Sequence, residues 1–141
     1  MKKAVVLILA VFAVLAAFSQ QERRFIRQGN DAYEQGNFGN AQVAYEKALS
    51  KKAESFKARF NQADALYKNQ KYKEAASQFE QLAAGANNKD LKAKAYHNLG
   101  NAMLKSKKID ESIQAYKNAL RLNPKDEETR YNLAYAQRLK Q

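Results

Sequence analysis

One pattern of small and aromatic residues occurs three times in this chain, and its spacing restricts the chain to a stack of similar units. Gly29, Phe38, Ala41, Tyr45 and Ala48 recur 34 positions later as Ala63, Tyr72, Ala75, Phe79 and Leu82. A further 37 positions on they recur as Gly100, Ile109, Ser112, Tyr116 and Ala119. The outer copies share near-identical text, AYEKAL at residues 44–49 and AYKNAL at residues 115–120. A unit this short cannot bury its own apolar face, so stability has to come from packing each unit on the next, with a cap over the last one.

Within a unit the apolar residues follow helical periodicity. Phe25, Gly29 and Ala32 mark one face of a first helix; Phe38, Ala41, Ala44, Tyr45 and Ala48 mark a stripe on a second. Gly36-Asn37 predicts the turn between them, because glycine accepts the positive φ of a helix end. Small residues at 29 and 41 are expected to face each other where the two helices cross most closely, with Tyr45 and Ala48 filling the space against the next hairpin. The units run over residues 22–55, 56–89 and 93–126, with extra residues at 90–92 lengthening the start of the third. Gly85 and Asn87-Asn88 end one helix and cap another, and Asn123-Pro124 is read as N-cap and first helical residue of the last helix. Residues 127–140 restart a first helix and stop. Leu133 and Ala134 stand where Leu99 and Gly100 stood, and Arg130, Arg138 and Lys140 keep an outer face wet, as a cap requires. Seven helices and no strand are expected.

Residues 1–19 have a different character. Lys2 and Lys3 precede an apolar run over residues 4–18, followed by small and polar residues. This is the organisation of a secretory signal peptide, with Ala17 and Ser19 at the −3 and −1 positions of a cut before Gln20. It predicts an exported, periplasmic domain over residues 20–141. The alternative is an uncleaved inner-membrane anchor, for which a run of about 15 residues is short against the roughly 20 needed. The chain has no cysteine, which excludes disulfides, thiolate metal sites and lipoprotein attachment here. The formal charge of +11 falls to +9 without Lys2 and Lys3. Such a balance suits nucleic acid, an anionic lipid surface or an acidic protein. Export argues against nucleic acid, and lysines such as Lys52, Lys71, Lys73 and Lys107 are scattered along the chain. A solvated basic surface, an acidic partner and a weak contact with anionic membrane remain.

Tyr96, Leu99, Gly100, Ser112, Tyr116, Ala119 and Pro124, in KAYHNLGNAMLKSKKIDESIQAYKNALRLNP at residues 94–124, resemble the tetratricopeptide repeat (TPR) pattern. The resemblance extends over residues 22–140. It implies an all-α, right-handed solenoid of three helix hairpins plus a C-terminal capping helix. RRFIRQGNDAYEQGNFGNAQVAYEKAL at residues 23–49 behind the leader, with ETRYNLAYAQRLK at residues 128–140, is similar more narrowly to the exported TPR protein of the bacterial aerotolerance operon, the BatC type. That resemblance implies envelope assembly with membrane proteins carrying von Willebrand factor A domains. It implies no reaction and no cofactor.

In TPR proteins the first helices line a concave groove. The matching positions here are Arg23, Arg27, Asn30 and Tyr33 in the first unit and Lys57, Asn61, Asp64 and Tyr67 in the second. The third unit supplies Lys94, His97, Asn98 and Asn101, and the cap Tyr131 and Asn132. Amides beside aromatic rings and cations suit an extended peptide. Asn30, Asn61 and Lys94 also match three of the five positions with which some TPR proteins clamp a terminal carboxylate, while Ile26 and Asn98 replace basic residues of that clamp. The competing structural roles are hydrogen bonds to neighbouring helices for Asn61, Asn98 and Asn132, and hairpin packing for Tyr33 and Tyr67. His97 is the only histidine, so no metal or His-assisted nucleophile site can be assembled around a second one. Asp110-Glu111 and Asp126-Glu127-Glu128 sit near helix starts, where the helix dipole favours negative charge. With no phosphate loop and no strand-borne nucleophile, the expectation is a non-catalytic protein-binding adaptor. The alternative is a structural protein that self-assembles through its uncapped first unit.

Overall fold

The computed structural model describes residues Met1 to Gln141 and contains seven α-helices and no strand. They are α1 (Lys2–Glu34), α2 (Phe38–Lys51), α3 (Phe56–Lys68), α4 (Tyr72–Gly85), α5 (Lys89–Lys105), α6 (Ile109–Leu122) and α7 (Glu127–Lys140). Helices α1–α2, α3–α4 and α5–α6 form the three expected hairpins, and α7 closes the stack. The insertion at residues 90–92 lengthens α5 to 17 residues, against 13 in α3.

All three hairpins are closed by one turn. In the first, the N–H of Asn37 bonds Ala32 O at 2.9 Å and that of Gly36 bonds Tyr33 O at 3.0 Å. The same two bonds recur as Lys71 to Leu66 and Gln70 to Tyr67, then as Lys108 to Met103 and Lys107 to Leu104. This six-to-one closure requires a left-handed residue just past the helix. Gly36 fills that role at φ +74°, but Gln70 and Lys107 fill it at 62° and 63°, where a Cβ is strained.

Between hairpins, a side-chain cap restarts the chain. Ser55 Oγ accepts from Ala58 N (3.3 Å), Asn88 Oδ1 from Asp90 N (2.8 Å) and Leu91 N (3.1 Å), and Asp126 Oδ1 from Thr129 N (3.0 Å). Asp126, not Asn123, is therefore the N-cap of α7, and Pro124 lies in the preceding turn instead of opening the helix. A carboxylate three residues before Thr129 reaches both the N–H and the hydroxyl of that residue, a pairing that Asn123 cannot make from outside the turn. Ser55 does double duty, since its hydroxyl also donates to the buried Glu22 carboxylate at 2.5 Å, tying α3 to α1.

Consecutive helices pack throughout, and first helices also touch one another: α1 meets α3, α3 meets α5 and α5 meets α7. The second helices α2, α4 and α6 do not touch. The stack is therefore tight on the first-helix side and splayed on the other, which makes the first-helix side concave. The main core joins the second and third hairpins around Phe79, Leu66, Leu82 and Leu99 with seven alanines, and smaller clusters around Ile26 and Tyr45 hold the first hairpin to α3. In the third unit, the expected close approach is visible as a bond from Ser112 Oγ to Gly100 O (2.9 Å).

Helix α1 is continuous for 33 residues, running without a break through residues 17–20. The apolar residues of its N-terminal half are exposed: Leu7 and Phe12 are 67% and 65% exposed. With a mean hydropathy of 2.2, this segment is long and apolar enough to cross a membrane.

Replacing Lys107 or Gln70 with glycine should stabilise the fold. Relief of about 1–2 kcal/mol of left-handed strain is offset by about 0.5–1 kcal/mol of extra unfolded-chain entropy, leaving a net gain of about 0.5–1 kcal/mol. Urea denaturation checks it, with Gly36→Ala expected to move the midpoint the other way.

Candidate partner-binding groove

The concave face is built on a repeated triad. In the first hairpin the Tyr45 ring lies over Gly29, where an added methyl would come 2.6 Å from the ring's Cδ1, and the phenol donates to Asn30 Oδ1 at 2.8 Å. In the third, Tyr116 lies over Gly100 in the same way and donates to Asn101 Oδ1 at 2.6 Å. Tyr45 thus packs back onto its own hairpin as well as forward onto Ala65 of the next. Burial above all raises both phenols to about 12, which keeps them donors. The second hairpin changes all three members together: Ala63 for glycine, Asp64 for asparagine and Phe79 for tyrosine.

A second set of bonds crosses between repeats. Asn61 Nδ2 donates to Asn30 Oδ1 (3.0 Å), Asn98 Nδ2 to Asp64 Oδ1 (3.0 Å) and Asn132 Nδ2 to Asn101 Oδ1 (3.2 Å). These amides therefore have the structural role considered for them, joining successive first helices while also bordering the groove. Tyr33 and Tyr67 likewise pack edge-on against Phe38 and Tyr72, with ring centroids 5.2 and 5.3 Å apart.

His97 stands in a network whose proton positions are fixed by its neighbours. Asn101 Oδ1 accepts from Tyr116 and Asn132, so Asn101 Nδ2 is the atom that donates to His97 Nε2, at 3.1 Å. The Thr129 hydroxyl gives its proton to Asp126 Oδ2 (2.6 Å), so Thr129 Oγ1 accepts from His97 Nδ1, also at 2.6 Å. Both constraints place the ring proton on Nδ1. Glu128 approaches Nε2 at 3.6 Å. Burial alone would raise the Asp126 carboxyl, but the two bonds from Thr129, the nearby His97 and the backbone N–H of Glu128 together hold it below the usual carboxylate range. His97 is thereby a structural pin between α5 and the cap that also lines the groove.

Three recesses run along this face. The largest, about 440 Å³, brings together Asp64, Tyr67, Lys94, His97, Asn98 and Asn101. A second, about 220 Å³, holds Asn30, Tyr33 and Asn61 and shares Asp64. The third, about 390 Å³, adds Tyr131 and Asn132 and shares Tyr67 and Asn101. Arg23, Arg27 and Lys57 line none of these, and they are exposed without ion-pair partners along the first helices. Sequence reasoning passed over the Phe60–Phe79 pair, 5.5 Å apart and edge-on, that walls the central recess, and the Thr129–Asp126 pair behind His97. The co-varying change of Asn to Asp and Tyr to Phe in the second unit was the available signal for the former.

Asp64 is the electrostatic outlier. Burial pushes its carboxyl up from 3.8 to about 6, only partly opposed by Lys68. The folded state thus holds this proton more tightly than the unfolded chain does, so stability falls as pH rises from about 4 to 6 and is lowest, from this group, above 6. The loss is about 2–3 kcal/mol at about 1.4 kcal/mol per pKa unit. Asp64→Asn, which restores the residue found at 30 and 101, should raise the denaturation midpoint at pH 7. The gap to wild type should close by pH 4, as followed by urea titrations at both values.

A family model described as Tetratricopeptide repeat matches residues 26–90, and one described as TPR repeat matches residues 100–140. Protein STIP1 homolog of Dictyostelium discoideum is 32% identical over 126 residues, covering 86% of this chain and 22% of that protein, so the chain spans about a fifth of that relative's length. MamA from Desulfovibrio magneticus RS-1 superposes with a TM-score of 0.78 at 24% identity, covering 84% of this chain and 66% of the other. The second TPR domain of human RPAP3, solved in complex with the HSP70 peptide SGPTIEEVD, superposes at 0.72 with 23% identity, covering 87% and 98%. With its two family matches, its seven-helix stack and these neighbours, the chain belongs to the tetratricopeptide repeat family.

Proposed function

We propose that this chain is a non-catalytic adaptor of the cell envelope that holds an extended segment of a partner protein in its concave groove. The observation that carries this is the line of three connected recesses along the first helices, floored by amides and a carboxylate and walled by aromatic rings. An extended peptide needs backbone hydrogen-bonding groups at regular intervals with apolar niches between them, and this spacing supplies both. The peptide bound by the RPAP3 domain supports the same use of the fold. Exposed Arg23, Lys57 and Lys94, one per repeat, suit acidic flanks on the segment. The apolar end of α1 supports an envelope location. The narrower part of the proposal is an aerotolerance-type complex in which the partners are membrane proteins with von Willebrand factor A domains. It rests on the resemblance of residues 23–49, 94–124 and 128–140 to the BatC type.

Asn61 and Asn98 are unsuitable for testing the groove, because their loss would also break bonds between repeats. Lys57 and Lys94 are exposed and make no such bonds. Crosslinked capture from native membranes should recover partner proteins with wild type and at least about tenfold less with Lys57→Glu/Lys94→Glu, since one lost charge-assisted bond is worth about 1.5–3 kcal/mol. Recovery of the chain alone, equally from both, would replace the adaptor with the self-assembling structural protein.

Location is tested separately by mass spectrometry of the intact chain from the envelope. A chain beginning at Gln20 is expected; one retaining residues 1–19 would make α1 an anchor. Cleavage there would leave Glu22 in the first turn of a shortened helix, where its charge suits the dipole and its bond to Ser55 survives.

A further inference from the structure

The second repeat departs from the other two at one place, and the departure creates unused bonding capacity. In the first and third repeats the floor amide accepts two hydrogen bonds, one from a tyrosine hydroxyl and one from the next repeat's asparagine. In the second, the floor residue is Asp64, and the ring above it is Phe79, which has no hydroxyl. Asp64 Oδ1 takes the bond from Asn98, and Oδ2 takes none. The chain's ion pairs lie elsewhere: neither Lys68 nor Lys94 comes within pairing distance of this carboxylate. Yet Asp64 lines both the central recess and the smaller one beside it. A neutral amide fits this position twice in the same chain, so the fold does not require a carboxylate here.

The surroundings of Oδ2 have a definite chemistry. Phe60, Tyr67 and the fully buried Phe79 line the central recess with Asp64, Asp126 and Glu128 stand on its cap side, and Lys68 and Lys94 also line it, leaving three carboxylates against two ammonium groups. Aromatic rings about a carboxylate, in a cleft sheltered from bulk water, favour an organic cation: the rings attract it through their faces and the carboxylate neutralises it. A peptide's terminal carboxylate would instead meet Asp64 at close range; Lys68 and Lys94 line the same recess, but two basic residues of the carboxylate clamp are replaced by Ile26 and Asn98.

We propose that the central recess between α3 and α5 is a recognition site for one guanidinium or alkylammonium group, an arginine or lysine side chain of the bound segment, with Asp64 Oδ2 as its acceptor. This deepens the groove reading and rests on it: the segment carries a basic residue at its centre and acidic residues toward Lys57 and Lys94.

The test uses the full chain in neutral detergent and three small probes at matched ionic strength: n-propylguanidinium, n-butylammonium and pentanoate. The readout is the side-chain amide of Asn98 and the ring resonances of Phe60 and Tyr67 by NMR. The two cations should shift these signals saturably at millimolar concentration, pentanoate should not, and Asp64→Asn should weaken cation binding at least about tenfold while its helical spectrum is unchanged. Cation binding that is absent, equal in Asp64→Asn, or matched by pentanoate would overturn the proposal. Partner capture that succeeds without cation binding removes only this inference; cation binding without partner capture removes the adaptor reading and leaves the recess as a cation site.

Discussion

The close approach of successive first helices is the constraint on which the rest of this structure depends. A hairpin of about 30 residues cannot enclose a core, so each must lend its inner face to the next. That works only if the first helices touch, as α1, α3, α5 and α7 do in turn. Alanines make the contact close, and the bonds from Asn61, Asn98 and Asn132 to the preceding floor residue fix its register. The two amide–amide bonds, from Asn61 and Asn132, are worth only about 0.5–1.5 kcal/mol each, but a buried amide left without its partner costs more. They therefore act chiefly by penalising any slip of one repeat along another.

The same bonds explain why the groove cannot be separated from the scaffold. Residues that border the concave face are fastened from behind: Asn30 and Asn101 by tyrosine hydroxyls, His97 by Thr129 and Asp126. A surface held in this way gives up little freedom when a segment is laid on it, which is what preorganisation contributes to affinity. It also means that a loss of binding on mutating these residues would not by itself identify a contact.

The fold was legible in the sequence because its signals are local and repeated. Spacing of 34 and 37 residues, with Gly36, Asn88 and the stripe through Tyr45, was enough for seven helices and their pairing into hairpins. What the sequence obscured were matters decided by geometry across elements. Asn123 resembles a cap, but Asp126 reaches Thr129 and wins the position. Gln70 and Lys107 give no hint of positive φ; the hairpin imposes it on whatever residue follows the helix. The groove positions followed from the repeat register, yet whether an asparagine faced a ligand or a neighbouring helix depended on a distance of about 3 Å that no spacing encodes. The exchange at Asp64 and Phe79 was visible in the sequence but had no meaning until the hydroxyl's acceptor was known.

The unbroken course of α1 has a mechanical consequence. At 1.5 Å per residue its 33 residues make a rod of about 50 Å. The last two turns carry Asn30 and Tyr33, while the far half is free of the rest of the molecule. For as long as residues 2–19 stay attached, the rod has no slack. A twist or tilt imposed at one end arrives undiminished at the other, as along a crankshaft. The orientation of the groove is then dictated by whatever grips the apolar end, and a single helix-breaking residue near position 20 would release it.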